Sequence, residues 1–431
     1  MTKKYNALFK LMTSLALILT LSFSLASSLI AADSYAKGTE EKPATAAITK
    51  ILTMAEVVET PGETFSFTLT AKEVDGATAT ATNMPIIDAK TISFSSADTG
   101  AADGGIKTVA KETTTDVFAG VVWPHAGVYV YTVKETAGST TGMSYSKAEY
   151  EIVAYVANGE RGLYVAGIGA HIVVTDSSNE GSSEGAKVDP TPGGDPNVSG
   201  GYSKLIFTNS YVKAGGGGDP KDPDSQVLKI DMTVVGNDAE EDFGDRSKYF
   251  VNTLTVNKPA LVQGEATYKA YVLEQGAVVT SAENFSGVLK KDEFGTYFEV
   301  KAGSPFVVNL KHGQQIVFTD LHIGASYIAV ESAEANYAAQ VNIIENGGSP
   351  VNLTNTAYNT ERSTAPDTDP ALERVVGEAA NSASFINTCR SVTPTGVNVD
   401  DLPYFVMIIV ALLAFAAYVW AKSRRHAKYA A

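Results

Sequence analysis

Gly127-Val128-Tyr129-Val130-Tyr131-Thr132-Val133-Lys134-Glu135 is the stretch that decides how this chain is read. Tyr129, Tyr131 and Val133 fall at every second position, and β-branched residues fill most of the gaps. This is the pattern of a pleated strand with one face turned inward. Glu135 continues the same series, so a carboxyl group shares the apolar face. A buried charge without a partner is costly. The stretch therefore predicts a β-fold with a polar partner for Glu135 inside it.

The same period recurs along the chain. Phe65, Phe67 and Leu69 alternate with Ser66 and Thr68. Residues 151–156 face 163–165 across Asn158-Gly159, a hairpin signal. Residues 249–256, 266–272, 297–300 and 316–320 are strand-like, and helix-period stretches are scarce between 40 and 390. Many short strands with turn signals between them predict antiparallel β-sandwiches. The Gly/Asp/Pro run at 214–224 reads as a linker. It separates one sandwich at 37–213 from a second at 225–390, each long enough for its own core. The Ser/Gly/Pro/Asp-rich stretch 177–201 reads as a long loop inside the first.

A three-residue set occurs twice. In the first half Lys50 stands in Ile48-Thr49-Lys50-Ile51-Leu52, Glu135 ends the aromatic strand, and Asn209 stands in Leu205-Ile206-Phe207-Thr208-Asn209. In the second half Lys229 stands in Val227-Leu228-Lys229-Ile230, Glu331 ends Tyr327-Ile328-Ala329-Val330-Glu331, and Asn387 stands in Phe385-Ile386-Asn387-Thr388. By strand parity Lys50 shares a face with Ile48 and Leu52, and Asn209 shares one with Leu205 and Phe207. Lys229 shares its face with Val227 but also with Asp231. Burial lowers a lysine pKa and raises a glutamate pKa, giving a nucleophilic amine beside a neutral acid. The acid can hydrogen-bond the asparagine carbonyl and move protons. Attack of the amine on the amide expels ammonia and leaves a Lys–Asn isopeptide bond, with folding supplying the proximity. The expected roles are Lys50–Asn209 and Lys229–Asn387 as crosslinks, with Glu135 and Glu331 as the acids. The bland reading of each set is an ordinary buried ion pair.

Composition narrows the rest. Among 431 residues there are 48 acidic against 33 basic side chains, a net charge of −15. Nucleic-acid binders carry basic patches, so none is expected as a partner. The single cysteine, Cys389, excludes an intramolecular disulfide and a CxxC site; it is in phase with Phe385 and Asn387 and reads as a buried thiol. None of the five histidines has metal-ligand spacing, and the acidic residues near the linker form no Asp-x-Asp-x-Asp-Gly loop. No cofactor or metal is expected, and no nucleophile motif of an ordinary enzyme is present.

The two ends concern placement. Residues 1–36 read as a secretory signal: Lys3, Lys4 and Lys10 precede an apolar run at 11–29, with small-x-small sites ending at Ala32 or Ala36. Residues 402–421 form a second apolar run of membrane-spanning length, followed by Lys422, Arg424, Arg425 and Lys428. The domain plan is thus 1–36, 37–213, 214–224, 225–390 and 391–431.

Val392-Thr393-Pro394-Thr395-Gly396, then the apolar run and basic tail, resembles the cell-wall sorting signal of Gram-positive surface proteins. Its proline stands third, not second as in the common Leu-Pro-x-Thr-Gly form. The resemblance implies a sortase that cuts between Thr395 and Gly396 and passes the threonine to a peptidoglycan precursor or a neighbouring subunit. The first half resembles the isopeptide-linked shaft pilins of Gram-positive bacteria, the streptococcal T-antigen type, through 48–52, 64–69, 129–135 and 207–211. The second half resembles the related collagen-adhesin B-type (CnaB) modules through Phe318-Thr319-Asp320-Leu321, Gly324-Ala325-Ser326-Tyr327, Glu331 and 385–387. The resemblance implies two tandem immunoglobulin-like sandwiches in an extracellular, wall-anchored pilin subunit. The alternative is a monomeric wall-anchored adhesin with these domains as stalk or binding module. A polymerising subunit needs an acceptor lysine, for which Lys204 and Lys213 are the candidates; the sequence indicates no host ligand.

Overall fold

The computed structural model describes residues 35–193, 201–236, 244–281, 283–354, 356–390 and 402–428. The first domain is built on β1 (Thr49–Ala55), β2 (Glu63–Val74), β3 (Lys90–Phe94), β4 (Ile106–Glu112), β5 (Gly127–Thr136), β6 (Glu149–Asn158), β7 (Leu163–Val174) and β8 (Ile206–Tyr211). An eight-stranded sheet contains β7, β6, β5, β2 and β3 in that order, and a five-stranded sheet has β4, β1 and β8 at its centre. Alternation does the sorting. Tyr129, Tyr131 and Val133 of β5 and Phe65, Phe67 and Leu69 of β2 are buried, as are Leu52 and Phe207 of the opposite sheet. Phe67 and Phe207 meet across the sandwich with ring centroids 5.0 Å apart. Each such side chain contributes about 1.5–3 kcal/mol by leaving water. Trp123 joins this core, 4.6 Å from the Tyr129 ring.

The second domain contains β9 (Leu228–Gly236), β10 (Phe250–Asn257), β11 (Thr267–Glu274), β12 (Thr296–Lys301), β13 (Phe306–Leu310), β14 (Gln314–Phe318), β15 (Ser326–Glu331), β16 (Tyr337–Ile344) and β17 (Ser382–Cys389). A nine-stranded sheet includes β12, β11, β14, β9, β17 and β16 in order, facing a five-stranded sheet with β13, β10 and β15. The chain is therefore all-β through both domains. Cys389 is buried at the end of β17.

The sheets are not wholly antiparallel as the hairpin signals suggest. In each domain the first and last strands pair in parallel: β1 with β8, and β9 with β17. Hairpins make sequential neighbours antiparallel, but a long connection leaves the terminal strands free to align in parallel. This pairing sets Lys50 opposite Phe207 and Leu52 opposite Asn209. Lys50 and Asn209 thus lie two positions apart on neighbouring strands of one inner face.

One boundary differs from the sequence reading. Tyr35–Lys37 pairs with Gly167, Ile168 and Gly169 at the sheet edge and buries Ala36, so a signal boundary at 36 falls inside a strand. The same small residue that suits a cleavage site also suits close packing on glycines. Residues 1–34 lie outside the described residues. At the other end, α1 (Leu402–Lys428) forms where the apolar run lies. Among the described residues no helix is long and apolar enough to cross a membrane.

The glycine-rich linker is fastened to the second domain. The Gly215 amide donates to Leu321 O (2.7 Å), the Gly217 amide to Thr319 O (2.5 Å), and Ala214 bridges His322. Gly216 has φ +55°, and a Cβ there would stand 2.4 Å from Ser225 O and 2.6 Å from a Val227 methyl. The linker can lie this close only because it lacks side chains. Gly216→Ala is expected to lower the stability of the second domain by about 1–3 kcal/mol, read by denaturant unfolding. Unchanged unfolding would show that the linker contact is dispensable.

Candidate functional site

Three chain segments that are remote in sequence meet inside the first domain. β1 supplies Lys50 and β8 supplies Asn209 from one sheet; β5 supplies Glu135 from the other. Lys50 Nζ donates to Glu135 Oε2 at 2.8 Å, and both side chains are fully removed from solvent. Asn209 Nδ2 donates to Glu135 Oε1 at 2.7 Å. The two carboxylate oxygens therefore hold the two nitrogens that an amide exchange would swap. The Phe65 ring lies 4.6 Å from Lys50 Nζ. Burial in this apolar setting pulls the Lys50 ammonium from its ordinary 10.5 down to about 8, against the opposing effect of Glu135.

The carbonyl side of the amide departs from the sequence expectation. Asn209 Oδ1 accepts the backbone amide of Ser146 at 2.7 Å. The carbonyl is thus polarised by a main-chain N–H, while Glu135 faces the nitrogens. A proton leaving Lys50 on one carboxylate oxygen has the departing Asn209 nitrogen beside the other. The site can therefore bring a neutral amine, a polarised amide and a proton carrier together without water. Sequence reasoning missed Ser146, because a backbone donor leaves no residue-type signature.

The second domain brings together only part of its expected set. Glu331 and Asn387 are buried, and Asn387 Nδ2 donates to Glu331 Oε2 at 3.0 Å. Lys229 does not join them. Its side chain is 38% exposed and lies 3.7 Å from Asp231 on the outer face of β9. The inward positions of β9 are Leu228, Ile230, Met232 and Val234, so Lys229 is out of phase by one. Register identifies what fills the place. Met232 faces Phe385 as Lys50 faces Phe207, and Val234 faces Asn387 as Leu52 faces Asn209. Asn387 Nδ2 also lies 3.1 Å from Met232 Sδ. A thioether thus stands where the amine is needed, and it cannot act as the nucleophile of an amide exchange. The alternation Ile230-x-Met232-x-Val234 carries this signal, and Lys229, one residue before it, falls on the opposite face.

The remaining predicted residues are dispersed. Lys204 is exposed beside β8, and Lys213 pairs with Glu378 of the second domain at 2.7 Å. Thr395 and Gly396 lie outside the described residues. No cluster of metal-ligating side chains occurs among the described residues.

Without a lysine, Glu331 is a buried acid with no cation on it. Burial raises it from 4.5 to about 8. Asn387 Oδ1 has no hydrogen-bond partner among the described residues, and a neutral Glu331 carries the kind of O–H donor this oxygen lacks. An acid whose pKa rises on folding contributes stability that is complete below about 4.5 and is lost as pH rises through about 8. Melting of the second domain is expected to fall over this window, and Glu331→Gln should flatten the fall. Equal pH dependence in the variant would contradict the assignment.

The chain has no match among curated proteins. Among solved structures it is similar to the major pilin from Streptococcus pyogenes, at 19% identity over 80% of this chain and 99% of that chain, with a TM-score of 0.30. A major pilin protein of type T3.2 from the same organism is 19% identical over 81% of this chain and 98% of its own, with a TM-score of 0.29. The pilus-presented adhesin Spy0125 (Cpa) is 11% identical over 80% and 100%, with a TM-score of 0.25. At such values these likenesses carry no argument about the site. The family comparison is more specific, because it falls on the domain that holds the complete set. Over residues 46–212, the body of its first domain, the chain matches the family described as the FctA, Spy0128-like isopeptide-containing domain.

Proposed function

We propose that the chain is an extracellular pilin subunit whose first domain closes itself with a Lys50–Asn209 isopeptide bond. The observation that carries this reading is the buried contact of Lys50, Glu135 and Asn209 on the first, middle and last strands. The domain-family match at residues 46–212 supports it. Glu135 takes a proton from Lys50, and the neutral amine attacks the Asn209 amide carbon. Glu135 then protonates the amide nitrogen and accepts the second proton of the attacking amine. The carbon–nitrogen bond breaks, ammonia leaves, and Glu135 ends protonated. Each molecule reacts once, so this is self-modification and the protein is structural.

The bond joins neighbouring parallel strands, so tension on the chain ends passes from Lys50 directly to Asn209. Everything between those residues is bypassed. The second domain, with Met232 in the lysine place, is read as held by packing alone.

Assembly is assigned to sortase, acting at Thr395–Gly396 to join the threonine to a neighbouring subunit or to a peptidoglycan precursor. The apolar side chains of Ile408, Leu412, Phe415 and Val419 in α1 are exposed. This suits a helix that holds the precursor in the membrane until it is cut. Of the acceptor candidates, Lys204 is exposed, while the amine of Lys213 is engaged by Glu378.

Two outcomes check this reading. In wall extracts a ladder of detergent-resistant species is expected, and it should collapse when Lys204 and Lys213 are both changed to arginine. A single discrete band from the wild type would instead indicate the monomeric adhesin. Glu135→Ala should leave the first domain uncrosslinked and less stable by about 4–5 kcal/mol, the loop-entropy value for a closure of this length; melting as high as the wild type would contradict the bond.

A further inference from the structure

The backbone amide of Ser146 is held on the reacting carbonyl by a built network. Asp176 Oδ2 accepts three donors from one short segment: Ser146 Oγ (2.7 Å), the Lys147 amide (2.7 Å) and the Ala148 amide (2.9 Å). Asp176 Oδ1 accepts the Ser178 amide at 2.7 Å, and the Asp176 amide donates to Asn179 Oδ1 at 2.9 Å, closing the turn Ser177–Asn179. Ser178 Oγ accepts the Thr208 amide at 2.7 Å, on the strand that carries Asn209. It also lies 3.0 Å from Ser146 Oγ. One turn thus grips both the donor segment and the strand bearing the acceptor, which fixes their separation.

The second domain supplies the contrast. Asn387 presents its nitrogen to a buried glutamate in the same way, yet its Oδ1 has no partner among the described residues. The domain without the lysine also lacks the carbonyl donor.

We infer that the Ser146 N–H is the oxyanion donor for isopeptide formation, and that Asp176 is the positioning residue that aims it. This rests on the isopeptide reading above. As the Lys50–Asn209 bond forms, the carbonyl electron pair moves onto Oδ1, and the N–H at 2.7 Å meets the growing charge. The pair returns as ammonia leaves.

The sign of one effect separates aiming from electrostatics. Asp176 is negative and helps to keep Lys50 protonated. If charge were its whole contribution, Asp176→Asn would free the amine and speed the reaction at neutral pH. If it aims the amide, the same change slows the reaction at every pH.

The test synthesises the full chain in a cell-free extract, stops translation, and follows with time the tryptic peptide pair joined through Lys50 and Asn209. Asp176→Asn and Ser146→Pro, which removes the N–H, are expected to react about 100-fold more slowly than wild type, the usual effect of losing an oxyanion donor. Ser146→Ala keeps the N–H but gives up the Oγ contacts to Asp176 and Ser178, so it should slow the reaction less than Ser146→Pro does. Near-UV spectra and protease resistance check that the slow variants are folded, and the Asp176→Asn result stands if Ser146→Pro does not fold. A reacting wild type with Asp176→Asn equally fast or faster overturns the donor assignment alone. A wild type that never forms the joined peptide overturns both this inference and the isopeptide reading.

Discussion

The parallel pairing of the first and last strands of the first domain is the constraint on which the rest depends. It sets Lys50 and Asn209 side by side on one inner face, while β5 lowers Glu135 onto them from the opposite sheet. Burying a charged pair costs several kcal/mol per ion unless geometry and extra hydrogen bonds offset it. Here each carboxylate oxygen and each amide atom is engaged, so the polar cluster is tolerated within an aromatic core. In the proposed reaction the ion pair becomes a neutral amide and a neutral acid. The chemistry then removes the very charges that made the arrangement costly.

The two domains form a comparison within one chain. Both place a buried Glu–Asn pair at the same register point, between a last strand and an edge-on glutamate. They differ at one inward position of the first strand, Lys50 against Met232, and at the amide oxygen, which is donated to in one and bare in the other. The two differences agree in direction. Where the nucleophile is present, the carbonyl is polarised; where it is absent, neither chemical partner is kept. Met232 preserves volume and packs against the amide, so the second core stays filled without reaction.

Much of the fold was legible because alternation is a local signal. Tyr129, Tyr131 and Val133 announce their strand, and the same series delivers Glu135 to the core. Parity also placed Lys50 and Asn209 correctly. The parallel pairing was not legible, since no turn joins those strands and periodicity carries no pairing partner. Lys229 stands in the right order along the chain but on the wrong face of its strand. A shift of one residue turns a strand side chain to the other face, and the inward run Ile230, Met232, Val234 decides the matter. Ser146 and Asp176 were illegible for different reasons. The first acts through its main chain, and the second stands just before the 177–201 stretch, outside every motif that the sequence singles out.

The most direct measurement is the intact mass of the secreted region, residues 37–395, from wild-type protein under denaturing conditions. One crosslink predicts a mass lower than the sequence by one ammonia, with the loss mapped to Lys50 and Asn209. A mass equal to the sequence would contradict the self-closing first domain. A loss of two would contradict the reading of Met232 as the residue that silences the second.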